Sequence, residues 1–169
     1  MEVKLVKYPT EEDWMFTKEM TLGTIGKHAV NPPTSDWKHK MLEARHSPIR
    51  TLWFCFELID IPYWVSVHLA RHHEGVVPFV QTQRNDRQDN YDRGAARQDA
   101  PIHMYYYVNA EALQVIANKR LCKQASEETQ EVVGKMCDLA LTACPEMYDL
   151  LVPACVRQGG VCHEMYPCS

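Results

Sequence analysis

Apolar positions along the chain fall into segments whose patterns predict both strands and helices. Residues 2 to 6, EVKLV, are predicted to form a short strand. The stretch 49 to 60, IRTLWFCFELID, is dense in β-branched and aromatic residues and predicts a buried strand. The stretch 102 to 109, IHMYYYVN, has the same character and predicts a further strand.

Helix signals lie between these strands. Thr10 is a predicted N-cap, because Asp13 follows at the spacing of a capping box. A second helix is predicted to begin at Thr34 or Ser35. Pro62 suits the first turn of a third helix, PYWVSVHLARHH, because the start of a helix does not need the missing N–H.

The second half of the chain is predicted to be mostly helical. Asn109 can cap a helix that runs through EALQVIANKRLC, and a longer helix is expected over roughly 124 to 142. After it we expect a short helix and irregular chain. The pattern predicts an α+β protein, a single domain over 1–169 with a small antiparallel or mixed sheet and packed helices. In the long helix, the apolar residues expected to face inward are Val132, Val133, Met136, Leu139 and Leu141.

Composition narrows the class of protein. A length of 169 residues is about that of one domain, and a net charge of −4 argues against a general nucleic-acid binder. The N-terminus lacks an apolar segment of signal-peptide type, and no later segment predicts a membrane span. We therefore expect a cytoplasmic protein, or one in a host cytoplasm if a phage encodes it.

Metal binding is a weak possibility at two places. His68 and His72 have a spacing that could bring two imidazoles to one ion, but no third ligand is evident. In the tail, four residues could together bind zinc. Their spacing lacks the closely spaced cysteine pair of common structural zinc sites. We therefore expect no metal, with a tail zinc site as the alternative. The four tail residues are Cys155, Cys162, His163 and Cys168.

Arginines give the strongest chemical signal. Arg71, Arg84, Arg97 and Arg120 lie in different predicted elements, and arginine suits forked binding of phosphate and polarisation of a carbonyl. The segment RNDRQDNYDRGAARQD carries four Arg against four Asp, so a mixed-charge surface loop is the alternative interpretation. The sequence has no G-x-S-x-G elbow and no P-loop, and nothing marks an activated cysteine.

Several motifs, taken in order, resemble the flavin-dependent thymidylate synthases (ThyX). The segments HLARHH and QTQR resemble the family's Arg-His-Arg triplet and its later Ser-x-Arg. HSPIRTLWFCFEL resembles the family's H-x-S-P-F-E-H segment, and ARQDAP its Ala-Arg-x-x-x-Pro. YYYVNAEAL resembles a strand ending in Asn-Ala-Arg-x-Leu, and KRLCKQASEE a later helix. The likeness covers roughly residues 43 to 165.

The resemblance implies a homotetramer with FAD and dUMP at subunit interfaces, where methylenetetrahydrofolate supplies carbon and NADPH supplies reducing equivalents. It places Ser47, Arg71, His72, His73 and Asn109 against the flavin. It places His68, Thr82, Gln83, Arg84 and Arg97 at the nucleotide, with Arg120 reaching the uracil carbonyl as the catalytic arginine. The apolar run between Arg71 and Arg84 is expected to pack a turn, so that its two polar ends form the walls of one site.

The chain also departs from the family's pattern. His73 stands in place of an arginine, Arg50 in place of a glutamate, and Glu111 in place of an arginine. The connection after Arg84 is short, which suggests a compact, phage-like member. Two other functions therefore stay open: a related C5 modification of a pyrimidine nucleotide, such as hydroxymethylation, and a non-catalytic nucleotide- or zinc-binding protein on the same fold.

Overall fold

A four-stranded antiparallel sheet organises the chain, with strand order β1-β2-β4-β3. The structure is a computed structural model and describes residues 1–168. Strand β4 pairs with β2 on one side and with the short β3 on the other, so β3 and β1 form the two edges. The strands are β1 (Glu2–Lys7), β2 (Trp53–Pro62), β3 (Val76–Val80) and β4 (Pro101–Asn109).

Helices lie between β1 and β2, between β2 and β3, and after the last strand. The predicted caps are present: the Thr10 N–H donates to Asp13 Oδ2 (2.7 Å) and the Asp13 N–H donates to Thr10 Oγ1 (3.3 Å). Two short 3₁₀ helices, Ser47–Thr51 and Pro145–Met147, lie between the longer elements. The α-helices are α1 (Glu11–Gly23), α2 (Ser35–Glu43), α3 (Tyr63–Ala70), α4 (Ala110–Arg120), α5 (Glu127–Ala143) and α6 (Ala154–Arg157).

The core lies against one face of the sheet. Alternate residues of the two central strands point into it, and Phe54, Phe56 and Tyr106 are fully buried there. Full burial of a large apolar side chain stabilises the fold by about 1.5–3 kcal/mol, so these rows fix the register of the sheet. The α5 residues Val132 and Met136 are also fully buried.

The long helix is confirmed with two corrections. It begins at Glu127 behind a Ser126 cap rather than near 124, because the Ser126 side chain accepts the Thr129 N–H. Val132, Val133 and Met136 are buried as predicted, whereas Leu139 and Leu141 are only partly buried.

The segment predicted as a strand from 49 to 60 begins later than expected. Residues Ser47–Thr51 form a 3₁₀ helix, in which the Ile49 N–H donates to the His46 carbonyl oxygen and Pro48 lies in the first turn. Pro62 is the last residue of β2 rather than the first of a helix, and α3 ends at Ala70. His72 therefore lies beyond the helix that was predicted to carry it.

Strand β3 was not predicted, and its presence corrects the interpretation of the apolar run after Gly75. Val76–Val80 pairs with β4 from Val76 opposite Val108 to Val80 opposite Met104. Pro78 is tolerated because β3 is an edge strand. Within residues 1–168, the helices are too short or too polar for any of them to cross a membrane.

Candidate functional site

A cavity of about 780 Å³ opens where β3 begins and β4 ends, beside the first turns of α4. Its volume lies in the range of small-molecule and cofactor sites. The wall combines cationic, hydrogen-bonding and apolar groups. The lining residues are Arg50, Arg71, His72, His73, Glu74, Gly75, Asn109, Glu111, Ala112 and Val115.

Gly75 and Asn109 fix the corner of this cavity. The Asn109 N–H donates to the Gly75 carbonyl oxygen (2.9 Å), and Asn109 Oδ1 accepts the Ala112 N–H (2.9 Å) as the N-cap of α4. Gly75 has φ +69°, and a Cβ there would lie 2.4 Å from Asn109 Nδ2. The close approach of β3 to the α4 cap therefore requires glycine.

His72 links the cavity to Arg120. Arg120 Nε donates to His72 Nε2 (3.0 Å), and its Nη2 donates to the His68 carbonyl oxygen (3.1 Å). Burial and the Arg120 charge lower the pKa of His72 to about 4. His72 is therefore neutral near pH 7, with the proton on Nδ1 and Nε2 accepting from Arg120.

Arg120 lies behind His72 rather than in the wall of the cavity. Burial and the nearby Arg71 charge lower the pKa of its guanidinium, which still leaves it cationic at neutral pH. In residues 1–168 its Nη1 has no hydrogen-bond partner, so this nitrogen can still donate to a ligand.

His68 faces a different neighbour from the other predicted site residues. Its Nδ1 lies 3.0 Å from Thr129 Oγ1, near the start of α5. Burial, followed by the charges of Arg120 and Arg71, lowers the pKa of the imidazole. The structure places His68 between α3 and α5, outside the 780 Å³ cavity.

The opposite wall is formed by an ion pair that joins the first 3₁₀ helix to α4. Arg50 Nε donates to Glu111 Oε2 (2.5 Å), and Arg50 Nη2 lies 3.4 Å from Glu111 Oε1. Ser47 begins the same 3₁₀ helix but does not line the cavity. In the sequence, Arg50 and Glu111 stand out only as departures from the family's pattern, and no local spacing joins them because they are 61 positions apart.

The predicted phosphate-binding residues lie at the other end of β3. The strand holds five residues, Val76–Val80, so its first and last Cα atoms are about 13 Å apart at about 3.3 Å per residue. His73 and Gly75 precede the strand, whereas Thr82 and Arg84 follow it. Within one chain an extended strand therefore separates the two polar ends, and the expectation that they form the walls of one site stays a prediction.

The arginines at this far end are exposed and paired with nearby carboxylates. Arg84 Nε donates to Asp86 Oδ1 (2.9 Å), and Arg97 Nε donates to Asp99 Oδ1 (2.8 Å). These ion pairs lower the pKa of Asp86 and of Asp99 and raise that of Arg97. Gln83 lies in the same exposed loop region and, like both arginines, does not line the 780 Å³ cavity.

The cysteine-rich tail folds back on α4. Cys122, at the end of that helix, lines a small cavity of about 90 Å³ together with Cys155, Cys162 and His163. Within residues 1–168, no three His, Cys, Asp or Glu side chains are arranged to hold a metal ion. Burial, then the proximity of Cys122, raises the pKa of the Cys168 thiol. Sequence reasoning missed Cys122 because it lies far from the tail in the chain.

Comparison with known proteins identifies the fold of this chain. No family model matches the chain, and a search of curated proteins finds no match. Among solved structures, a crystal structure of flavin-dependent thymidylate synthase ThyX from Helicobacter pylori in complex with FAD and dUMP is similar. It has a TM-score of 0.70 at 15% identity over 90% of this chain and 100% of that chain.

A second ThyX structure from Helicobacter pylori, also with FAD and dUMP, gives a TM-score of 0.71 at 16% identity. It covers 89% of this chain and 99% of that one. The chain therefore has the α+β fold of ThyX structures, in agreement with the four-stranded antiparallel sheet and its helices.

Proposed function

We propose that the protein is an FAD-dependent thymidylate synthase that makes dTMP from dUMP. One observation carries the proposal: Arg71, His72, His73 and Asn109, which the sequence motifs align with flavin contacts, line a single 780 Å³ cavity. They reach it from three elements, the end of α3, the start of β3 and the end of β4, on a fold that ThyX structures share.

The cavity fits a flavin dinucleotide by size and by chemistry. Ala112 and Val115 give an apolar surface for a ring system, and Arg71 provides a cation for phosphate oxygens. Asn109 Oδ1 is engaged with the α4 backbone, so its amide nitrogen faces Gly75 and the cavity edge. We propose that Ser47, in the neighbouring 3₁₀ helix, also contacts the flavin.

Bound FAD would supply the hydride that reduces the transferred carbon, after NADPH has reduced the flavin. The protein's own contribution is binding and orientation. Neutral His72 accepts from Arg120 through Nε2, which leaves its Nδ1–H as a donor. Exposed His73 and Arg71 flank it, so three neighbouring side chains of the wall can donate hydrogen bonds to a ligand.

The nucleotide site is proposed to form between subunits of a homotetramer. Thr82, Gln83, Arg84 and Arg97 lie in the segment between β3 and β4, on the other side of β3 from the proposed flavin residues of the same chain. Their arginines are exposed and face only nearby aspartates. A dUMP phosphate would replace those carboxylates, and a neighbouring subunit would supply the flavin cavity.

Arg120 is the proposed catalytic arginine. Its Nε and Nη2 are held by His72 and by the His68 carbonyl oxygen, so the guanidinium is oriented before ligand binds. A fixed cation near a uracil carbonyl would stabilise the negative charge on that oxygen in the enolate form of the ring, which makes C5 nucleophilic toward the transferred carbon. We propose that His68 supports this role by fixing the carbonyl that Arg120 contacts.

The test is a stepwise reaction under anaerobic conditions. Purified protein is loaded with FAD, NADPH is added, and flavin bleaching is followed by absorbance. Addition of dUMP and methylenetetrahydrofolate should then restore the oxidised flavin and give a product with the mass of dTMP. A product heavier by one oxygen would instead identify hydroxymethylation. Protein that retains no FAD would overturn the proposal.

Replacing Arg120 with Lys separates catalysis from binding. Lysine keeps the charge but lacks the fork that contacts His72 and the His68 carbonyl oxygen together. We expect turnover to fall about 100-fold while FAD retention changes little, in keeping with the loss of one oriented donor. Equal loss of turnover and of FAD would contradict the assigned role.

A further inference from the structure

A second cavity, of about 340 Å³, shares no lining residue with the proposed flavin site. It lies between α4, α6 and the chain that follows α2. Two of its five lining residues are arginines and none is acidic. They are Arg45, Asn118, Ala154, Arg157 and Gln158.

Buried amides hold both arginines in place. Gln114 Oε1 accepts from Arg45 Nε (3.3 Å) and from Arg157 Nη1 (2.9 Å), so one oxygen joins the two guanidiniums. Asn118 Oδ1 accepts from Arg45 Nη2 (2.6 Å). Gln114 is 0% exposed and Asn118 is 9% exposed, so these anchors are part of the core.

The amides cannot turn to offer their nitrogens to the arginines instead. Gln114 Nε2 donates to the Leu42 carbonyl oxygen (3.0 Å), and Asn118 Nδ2 donates to the Val152 carbonyl oxygen (2.6 Å). Each amide nitrogen therefore donates to a backbone carbonyl oxygen, and each amide oxygen accepts from a guanidinium. The two cations are held close together by neutral acceptors.

The carboxylate whose charge acts on Arg45, that of Glu111, is not in contact with it and pairs with Arg50 instead. In residues 1–168, neither Arg45 nor Arg157 forms a salt bridge, and Arg157 Nη2 donates to a backbone oxygen, that of Glu43 (2.8 Å). Burial, then the Arg157 charge, lowers the pKa of the Arg45 guanidinium. Two half-buried like charges side by side are costly unless an anion joins them.

Arg45 also occupies a position that favours glycine. The His46 N–H donates to the Met41 carbonyl oxygen and the Arg45 N–H to that of Leu42, which is the hydrogen-bond pattern of a Schellman end to α2. Arg45 has φ +50°, a left-handed conformation that glycine adopts without penalty. The backbone is therefore strained at Arg45, the residue whose guanidinium lines the cavity.

We propose that the Arg45–Arg157 cavity is a binding site for the phosphate or pyrophosphate group of a small molecule. Two guanidiniums can each give a forked pair of hydrogen bonds to one doubly charged oxyanion. A volume of about 340 Å³ exceeds what a single phosphate fills, so the ligand carries a further moiety past Ala154 and Gln158. The site is independent of the proposed flavin cavity.

Isothermal titration of the full chain with inorganic pyrophosphate tests the proposal. The variants are Arg45→Gly and Arg157→Gln, with Lys27→Gln as a control of equal charge loss on an exposed residue. We expect Arg45→Gly and Arg157→Gln each to bind about tenfold more weakly or worse, because hydrogen bonds to a charged partner are lost. Lys27→Gln should bind like the unaltered protein.

Thermal unfolding of each variant keeps a folding defect apart from a binding defect. Arg45→Gly relieves the left-handed strain but leaves Asn118 Oδ1 without its arginine donor, so the two effects on stability oppose each other. Its affinity is compared at a temperature at which both proteins are folded, and it should still fall. The titrations use FAD-saturated protein, so that the Arg71 cavity is already occupied and cannot take up pyrophosphate. The proposal is overturned if this protein does not bind pyrophosphate, or if Arg45→Gly and Arg157→Gln both bind it as tightly as the unaltered protein.

Discussion

The two ends of strand β3 differ in how completely one chain builds them. At the first end, Gly75 lies against Asn109, and Arg120 holds the half-buried His72. At the second end, Arg84 and Arg97 extend from an exposed segment, and each contacts an aspartate two residues further along. The side chains of the first end are fixed by contacts between distant parts of the chain, whereas in residues 1–168 the two guanidiniums of the second end contact only neighbouring aspartates.

This difference indicates which part of the site is pre-organised. The cavity end has its donors oriented before any ligand arrives, which lowers the cost of binding. The arginines of the far end are charged and exposed, and their aspartate partners can be displaced with little loss, because exposed ion pairs contribute little to stability. A nucleotide site made from the second end needs a facing surface, which we propose that a neighbouring subunit provides.

Replacing Gly75 with Ala should give the largest effect. The left-handed conformation and the 2.4 Å approach to Asn109 Nδ2 both oppose a Cβ. We expect a loss of about 2–4 kcal/mol in the free energy of unfolding, measured by urea denaturation, together with loss of FAD binding.

Gly26→Ala is the matched control. Gly26 has φ +70°, but nothing lies within 4 Å of a Cβ built there. This variant should lose only the strain of the left-handed conformation, about 1 kcal/mol. Equal losses for both variants would show that the Asn109 contact contributes nothing.

The next effect is a dependence of stability on pH through His72. The pKa of His72 is about 4 in the folded chain, against about 6.5 in an unfolded one. As pH falls from 6.5 toward 4, His72 binds a proton in the unfolded state but not in the folded state, so the free energy of unfolding falls. Because the ring is only half-buried, we expect a loss of about 1–2 kcal/mol from this group.

Urea denaturation at several pH values measures that loss, with His72→Gln as the control. Glutamine can still accept from Arg120 Nε but does not titrate. The fall in stability between pH 6.5 and 4 should be smaller in this variant. An unchanged pH profile would contradict the assignment of a neutral, buried His72.

The smallest effect on stability is expected at the far end of β3. Arg84→Gln removes an exposed ion pair with Asp86, so the melting temperature should shift by less than about 2 °C. Binding of dUMP, followed by calorimetry on FAD-loaded protein, should nevertheless weaken about tenfold or more. If Arg84→Gln lowered the melting temperature but bound dUMP normally, Arg84 would be important for stability and not for the nucleotide, which would contradict the role assigned to the second end of β3.

Sequence reasoning recovered the parts of the fold that local signals determine. The Thr10 capping box and the Asn109 cap depend on residues three positions apart, and both are present. Strand β3 was missed because five residues interrupted by Pro78 carry little signal, and only pairing with β4 makes them a strand. The structure brings Arg71, His72, His73 and Asn109 to one cavity but not Ser47, and their contact with a flavin stays a prediction.

The remainder of the site depends on contacts that local patterns do not encode. Arg120 and His72 are 48 positions apart, and their hydrogen bond follows from how α4 packs beside the end of α3. The same holds for Arg50 with Glu111 and for Arg45 with Arg157, which lie on separate elements. Their proximity arises from tertiary packing, which sequence spacing does not report.

The central claim is that the two ends of β3 serve one active site from different subunits. Its most direct test is complementation between Arg71→Gln and Arg84→Gln, each of which should be inactive alone. Co-expressed in equal amounts, they should form mixed assemblies in which about one site in four combines two intact ends. We predict that dTMP formation returns to about a quarter of the normal rate, and a mixture as inactive as either variant would contradict the account.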